Sequence, residues 1–97
     1  MFEIYWTHRS EADYNRLKSD PSLVKRYKAV KKTIGLLASD PRHNSLQTHE
    51  FFSLKGPNGE KVFEAYAEQS TPAAYRVFWY YGPSRNQMTI FAITSHP

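Results

Sequence analysis

A single arginine lies in an otherwise aromatic and apolar stretch near the end of the chain, Tyr75 to Tyr81, which reads YRVFWYY. A guanidinium cannot lose its charge, and its five donors are hard to satisfy away from water. We therefore expect the Arg76 side chain to be exposed on a sheet face to which an anion binds. Because a guanidinium can hold two phosphate oxygens at once, the predicted chemistry is phosphate binding.

A histidine near the end of the chain, His96, could supply the proton transfer that accompanies such binding. Imidazole titrates near neutral pH and serves as a general acid or base. RNA cleavage needs a base for the 2′-hydroxyl, an acid for the 5′-oxygen and positive charge at the phosphorane, and Arg76 and His96 suit these tasks. The rings of Tyr66 and Tyr80 could stack on an unpaired base.

This route requires no metal and no other cofactor. The four histidines also lack the spacing of a metal site. Purely structural interpretations stay open beside the catalytic one. Arg76 could pair with Glu64 on a neighbouring strand, and His96, close to the end of the chain, could be frayed. His43 and His49 lie in a polar segment and are expected to be solvated.

Length and charge restrict the class of protein. The chain has 97 residues, which predicts a single domain over residues 1–97. It contains no cysteine, carries a formal net charge of +4 and is 15% aromatic, a composition typical of proteins that meet nucleic acid but not restricted to them. No signal-like segment is visible, and no apolar run approaches the roughly 18 residues of a membrane span. We expect a soluble, cytoplasmic protein with no membrane partner.

Two helices are predicted after a first strand at residues 2–7. Ser10 is the predicted cap of a short helix that ends near Ser19, and Asp20 caps a second helix that begins at Pro21 and ends near Ala38. The second helix is amphipathic, with apolar residues on one stripe at Leu23, Tyr27, Val30, Ile34 and Leu37. Its lysines, among them Lys28 and Lys32, fall on the opposite side, where RNA contact or simple solvation are both possible.

The second half of the chain is predicted to form a meander of three strands at residues 61–67, 74–81 and 88–94. The preceding residues 42–59 are interpreted as an irregular connection. The resulting order is βααβββ, an α+β fold in which two helices pack on one face of an antiparallel sheet. Alternation directs Tyr75, Val77 and Trp79 toward the helices. The opposite, open face then carries Arg76, Phe78 and Tyr80, together with Glu64 and Tyr66 of the neighbouring strand.

The order of elements and several short motifs resemble the RelE/ParE toxin superfamily of bacterial toxin–antitoxin systems. The motifs are a Leu54-Lys55-Gly56 turn, the Tyr75-Arg76-Val77 strand and a final strand that ends in Ser95-His96-Pro97. The resemblance implies a toxin of a type II toxin–antitoxin system. Members of the RelE branch bind the ribosomal decoding site and cut messenger RNA on the sheet face, and an antitoxin neutralises them.

Residue by residue, the resemblance implies that Arg76 contacts the scissile phosphate and that His96 is a catalytic acid or base. Lys55 and Lys61 lie near the basic residues with which RelE-like members bind RNA. The implied activity is that of a metal-independent, ribosome-dependent endoribonuclease, an mRNA interferase that inhibits translation. The implied partners are a cognate antitoxin, the ribosome and messenger RNA.

Two departures from the family pattern keep other functions open. Tyr66 stands where many members have an arginine, and the chain stops at Pro97, without the tail that some members use. One alternative is a ParE-like inhibitor of DNA gyrase, which the glutamate at position 64 favours. The other is an inactive protein of the same fold that only binds an antitoxin.

Overall fold

The strands of this protein form one sheet that carries both α-helices on a single face. A computed structural model describes residues 1–96. The elements follow in the order β1 (Glu3–Trp6), α1 (His8–Ser19), α2 (Val24–Ser39), β2 (His49–Lys55), β3 (Lys61–Tyr66), β4 (Tyr75–Tyr81) and β5 (Gln87–Ser95). The sheet order is β1-β5-β4-β3-β2, with β1 parallel to β5 and every other pair antiparallel. The predicted α+β class is therefore confirmed. No helix within residues 1–96 is long and apolar enough to cross a membrane.

The segment between α2 and β3 contains a strand that the sequence analysis did not predict. Residues 42–59 were interpreted as irregular, which is wrong, because β2 pairs with β3 from His49 opposite Glu64 to Lys55 opposite Lys61. The register shifts between Glu50 and Lys55. The strand also lacks Val, Ile and Thr, the residues with the strongest strand signal. Phe51 and Phe52 are the only strand-enriched residues of β2, and they are adjacent, so this edge strand lacks the alternation by which a strand is recognised in sequence.

The two helix starts differ from the predicted ones by a few residues. Thr7, rather than Ser10, caps α1: the Thr7 hydroxyl accepts from the Ser10 amide at 3.0 Å, and the Ser10 hydroxyl accepts from the Thr7 amide at 3.0 Å. Asp20 caps a single 3-10 turn at Pro21–Leu23, so that α2 begins only at Val24. The capping residue types were therefore present as expected, but their exact positions depend on the local hydrogen bonds.

The main core lies between the helices and the sheet. Val77 and Trp79 of β4 are buried there against Leu17 of α1 and Val30 of α2. The Trp79 ring also stacks on Phe63 of β3, with 5.0 Å between ring centroids. This confirms the predicted direction of the alternating side chains of β4.

A second, smaller apolar cluster covers part of the opposite face of the sheet. It contains the buried residues Val62, Phe78, Tyr80 and Ala92, with Phe51, Leu54 and Phe91 packed around them. We call this side of the sheet the open face, because neither helix covers it. Its aromatic residues therefore pack largely against one another, and the polar residues of the face lie beside this cluster.

A phenol pair joins the two helices and gives a prediction for alkaline pH. The Tyr14 hydroxyl donates to that of Tyr27 at 3.4 Å, and burial together with this hydrogen bond raises the pKa of Tyr14 from 10.0 to about 12. In the unfolded chain Tyr14 ionises near its ordinary pKa, so the stabilisation is complete below about pH 10 and is lost as the pH rises to about 12. We expect the denaturation midpoint to fall over this interval, and to fall less in Tyr14→Phe. An identical decline in both proteins would contradict this assignment.

Candidate functional site

A buried carboxylate on the open face is the centre of the candidate site. Glu64 of β3 is 0% exposed and points to the open face together with Val62. Its Oε1 lies 2.8 Å from Nε2 of His49. Its Oε2 contacts Nδ1 of His96 and lies 3.8 Å from Nε of Arg76. One carboxylate is thus shared by two imidazoles and a guanidinium, and we call these four residues the Glu64 cluster.

Strand register explains why these residues meet. His49 is directly opposite Glu64 across the β2–β3 pair. Arg76 of β4 is opposite Tyr66, two residues beyond Glu64, which gives a diagonal contact that a long side chain can span. His96 follows Ser95, the last residue of β5, which pairs with Tyr75. Three strands and the end of a fourth therefore deliver their side chains to one point.

Arg76 is held by several contacts besides Glu64. Its Cζ atom lies 3.7 Å from the centroid of the Tyr66 ring, a cation–π stack. Its Nη1 donates to the backbone carbonyl of Glu68, and also to that of Tyr75 at 3.3 Å. The side chain is only 11% exposed. Arg76 therefore lies on the predicted face, but its side chain is largely covered rather than exposed, and it pairs with Glu64 as the structural interpretation expected. Phosphate binding by Arg76 stays a prediction.

Glu64 is buried beside a guanidinium. A buried carboxylate is costly unless it is paired, and Arg76 is the cation within 4 Å of it. The two side chains form an ion pair without net charge. The histidines form the rim, with side chains that are 47% exposed for His49 and 52% for His96. The arrangement therefore presents imidazoles to solvent above a fixed ion pair, which suits a phosphate ligand and proton transfer.

A groove of about 710 Å³ runs along the open face beside His96. Its floor contains the rings of Phe51 and Phe78, which meet edge to face with centroids 5.2 Å apart. Phe51 also contacts the His96 ring, at 5.9 Å between centroids. Arg9 and Thr94 contribute polar groups to the lining. A ligand in this groove would thus lie against His96.

His49 is the member of the cluster that the sequence analysis missed. It was expected to be solvated only, but its half-exposed ring also contacts Glu64 through Nε2 and the Gln47 carbonyl through Nδ1, the latter at 3.0 Å. The signal would have been a strand at residues 49–55, from which the pairing of His49 with Glu64 follows. The structure decides against a frayed His96, one of the interpretations left open, since this residue contacts Glu64 and Phe51. Pro97 lies outside the described residues.

The two predicted base-stacking tyrosines are placed differently. Tyr66 is part of the site, where its ring lies under the Arg76 guanidinium. Tyr80 lies on the same face but is only 7% exposed and packs edge to face on Phe91, with 6.1 Å between centroids. In this structure its ring therefore belongs mainly to the apolar cluster.

The four predicted RNA-binding lysines do not enter the Glu64 cluster. Lys55 and Lys61 are exposed and opposite each other at the far end of the β2–β3 pair, and Lys55 lies 3.8 Å from Glu50. Lys28 and Lys32 are exposed on α2, across the sheet from the cluster. Lys32 nevertheless lines a cavity of about 280 Å³ together with Tyr66.

The stack of Arg76 on Tyr66 predicts a graded effect of substitutions at position 66. Tyr66→Phe keeps the ring, whereas Tyr66→Leu removes it and frees the guanidinium to adopt other rotamers. A partly desolvated cation–π contact contributes about 1–2 kcal/mol. We therefore expect Tyr66→Leu to weaken the binding of a short RNA about tenfold and Tyr66→Phe to change it little. Calorimetric titration with that RNA measures the affinity of both variants. Equal loss in the two variants would assign the effect to the hydroxyl instead.

Comparison with known proteins identifies the fold. The YoeB/ParE toxin from Agrobacterium tumefaciens superposes with a TM-score of 0.71 at 14% identity, covering 99% of this chain and 100% of that chain. YoeB from Staphylococcus aureus, solved as a dimer, gives 0.63 at 13% identity over 99% and 98% of the two chains. Archaeal RelE from Pyrococcus horikoshii OT3, solved in complex with RelB, gives 0.64 at 14% identity over 97% and 93%.

No protein-family model matches the chain, and no curated protein matches it in sequence. The structural superpositions nevertheless show that the chain has the fold of the RelE/ParE toxin superfamily, as the sequence resemblance predicted. At 13–14% identity the likeness defines the fold alone, so the chemistry must be argued from the side chains of this chain.

Proposed function

We propose that this chain is the toxin of a type II toxin–antitoxin system and that it inhibits translation by cutting messenger RNA on the ribosome. The observation that carries the proposal is the convergence of Arg76 and His96 on the buried Glu64, on the face of the sheet that no helix covers. The fold shared with three solved toxin structures supports the same assignment.

The proposed reaction is an internal displacement at phosphorus. The 2′-oxygen forms a bond to phosphorus while the bond from phosphorus to the 5′-oxygen breaks, which leaves a 2′,3′-cyclic phosphate and a 5′-hydroxyl. One proton leaves the 2′-hydroxyl and one joins the 5′-oxygen. His96 carries out one of these transfers and water the other, while Arg76 stabilises the charge that builds up on the phosphoryl oxygens. None of these steps requires a metal.

The remaining candidate residues would contact RNA outside the reacting phosphate. Tyr66 lies beside Arg76, where a base held out of its helix could stack, and Tyr80 lies on the same face. Lys55, Lys61, Lys28 and Lys32 would steer the backbone of messenger or ribosomal RNA. Since each phosphate contact releases counterions, affinity for the ribosome should fall as salt rises. The proposed location is the cytoplasm, where the ribosomes are.

A cognate antitoxin is the second proposed partner. The Pyrococcus horikoshii relative was solved as a RelE–RelB complex. In this chain the groove on the open face combines apolar rings with His96, so a helix or strand of an antitoxin could cover both at once. An antitoxin seated there would block access to the Glu64 cluster.

Induced expression in bacterial cells tests the class of function. Incorporation of labelled amino acids should stop within minutes while labelled thymidine is still incorporated, and Arg76→Ala should abolish the arrest. The matched control Arg85→Ala, an exposed residue between β4 and β5, should arrest translation as the wild type does. DNA damage with filamentation would indicate a gyrase inhibitor instead. Unchanged growth at verified expression would indicate an inactive protein that only binds an antitoxin.

A further inference from the structure

Glu68, which follows β3, joins the end of that strand to the start of β4. Its Oε1 accepts hydrogen bonds from the backbone amide of Tyr75 at 3.0 Å and from Nε of Arg26, on α2, at 2.9 Å. Its own amide donates to the Tyr75 carbonyl at 3.1 Å. Glu68 lies two residues beyond Tyr66, the last residue of β3, and Tyr75 is the first residue of β4. Glu68 therefore extends the β3–β4 hydrogen bonding past the end of β3.

Arg26 supplies the opposite charge for Glu68 from the helix side of the sheet. The side chains of the pair are only 23% exposed for Arg26 and 14% for Glu68, so water and salt screen this ion pair less than one on the surface. The Arg26 guanidinium also lies over the Tyr75 ring, with 4.2 Å from Cζ to the ring centroid. The Glu68 carboxylate is therefore bound from two directions, by α2 and by the backbone of β4.

The backbone carbonyl of Glu68 binds Arg76, since it accepts a hydrogen bond from Nη1 of that side chain. The residues that follow, 69–73, are exposed, and Ala73 adopts a φ of 53°, in the left-handed region that residues other than glycine rarely occupy. An exposed loop supplies few packing contacts that could fix the position of this carbonyl. The hydrogen bonds of Glu68 itself therefore determine where the carbonyl lies.

We propose that Glu68 is a positioning residue: its carboxylate, paired with Arg26, places its own carbonyl to bind Nη1 of Arg76 and so fixes the orientation of the guanidinium. The stack on Tyr66 restrains the plane of the guanidinium but allows rotation within that plane, which a hydrogen bond to one nitrogen prevents. Nη2 makes no hydrogen bond within residues 1–96 and is the donor that a phosphate would meet. The importance of this orientation for cleavage rests on the proposed function, whereas the positioning itself does not.

Nitrogen NMR of the arginine side chains tests the positioning without any RNA. Rotation about the Nε–Cζ bond exchanges Nη1 with Nη2, and a hydrogen bond to one of them slows the exchange. We expect separate Nη1 and Nη2 signals for Arg76 in the labelled full chain, assigned by their loss in Arg76→Lys. Glu68→Ala keeps the carbonyl but removes the carboxylate and should merge the two signals, whereas Glu68→Gln can still accept both hydrogen bonds and should keep them separate. Arg26→Ala removes one of the two hydrogen bonds and should speed the exchange, and Lys25→Ala, at an exposed position of α2, should not. Unchanged Arg76 signals in Glu68→Ala and Arg26→Ala would overturn the proposal.

Cleavage kinetics test whether Glu68 acts through Arg76. A guanidinium that rotates freely is misplaced for part of the time, so Glu68→Ala should lower the single-turnover rate on ribosome-bound message about 10–10²-fold at saturating protein. In an Arg76→Ala background the same substitution should lower the rate no further, because no guanidinium is left to position. An equal loss in both backgrounds would overturn the role of Glu68 in cleavage. If the wild type cuts no message, the proposed function fails, while the NMR signals still decide whether Glu68 positions Arg76.

Discussion

Arg76→Ala is expected to lower the rate of message cleavage about 10³-fold with little change in the stability of the ribosome complex. The reason is that the guanidinium, pre-positioned on the Tyr66 ring, stabilises negative charge on the phosphoryl oxygens, and this charge develops mainly in the transition state. Removing one such donor typically costs a factor of 10²–10³, and removing a full positive charge costs at least as much. Single-turnover cleavage of ribosome-bound message measures the effect directly.

Two further variants separate the charge of Arg76 from its geometry. Arg76→Lys keeps the charge but loses the planar fork and the ring stack, so we expect it to recover only a small part of the rate. Arg85→Ala removes a charge from an exposed position and should retain wild-type cleavage. A rate in Arg76→Ala within a factor of three of the wild type would mean that Arg76 serves only to neutralise Glu64.

Glu64→Leu is expected to lower the free energy of unfolding by about 3–5 kcal/mol. Removing one member of a buried ion pair leaves the other without compensation, and Arg76 is only 11% exposed. In the same substitution His96 loses a hydrogen-bond partner and His49 loses its contact with the carboxylate. Urea denaturation followed by circular dichroism gives the value, with Glu11→Leu at an exposed position as the control.

A double substitution tests whether the loss comes from the ion pair. Glu64→Leu combined with Arg76→Leu leaves neither charge buried alone, so the double variant should lose less than the sum of the two single variants. A loss below about 1 kcal/mol in Glu64→Leu would show that water solvates the cluster, since exposed pairs contribute no more than that.

The sequence predicted the central part of the sheet because its signals are local. Alternation along β4 determines which side chains meet the helices, and Val77 and Trp79 are buried there as expected. The strand β2 was not predictable in the same way. Apart from Phe51 and Phe52 its residues are weak strand formers. The strand β2 forms by pairing with β3, a partner that is identified only once the hairpin is assembled. The cap of α1 was misplaced by three residues for a similar reason, because Thr7 and Ser10 are both good capping types.

The candidate site was predictable only in part, because residue type is a local signal whereas the pairing of strands is not. Arg76 and His96 stand out by residue type, and the pairing of Arg76 with Glu64 was one of two interpretations that the sequence left open. That His49 and His96 share the Glu64 carboxylate depends on register across three strand pairs. A missed edge strand thus concealed one member of the cluster.

The most direct test of the proposed activity is primer extension on a defined message in a purified translation reaction. We predict cuts within ribosome-bound codons that appear only when ribosomes are present, persist in Arg85→Ala and are lost in Arg76→Ala. The His96→Ala variant should cut at the same codons far more slowly. Intact messages and normal translation at saturating wild-type protein would contradict the proposal that this protein is a ribosome-dependent nuclease.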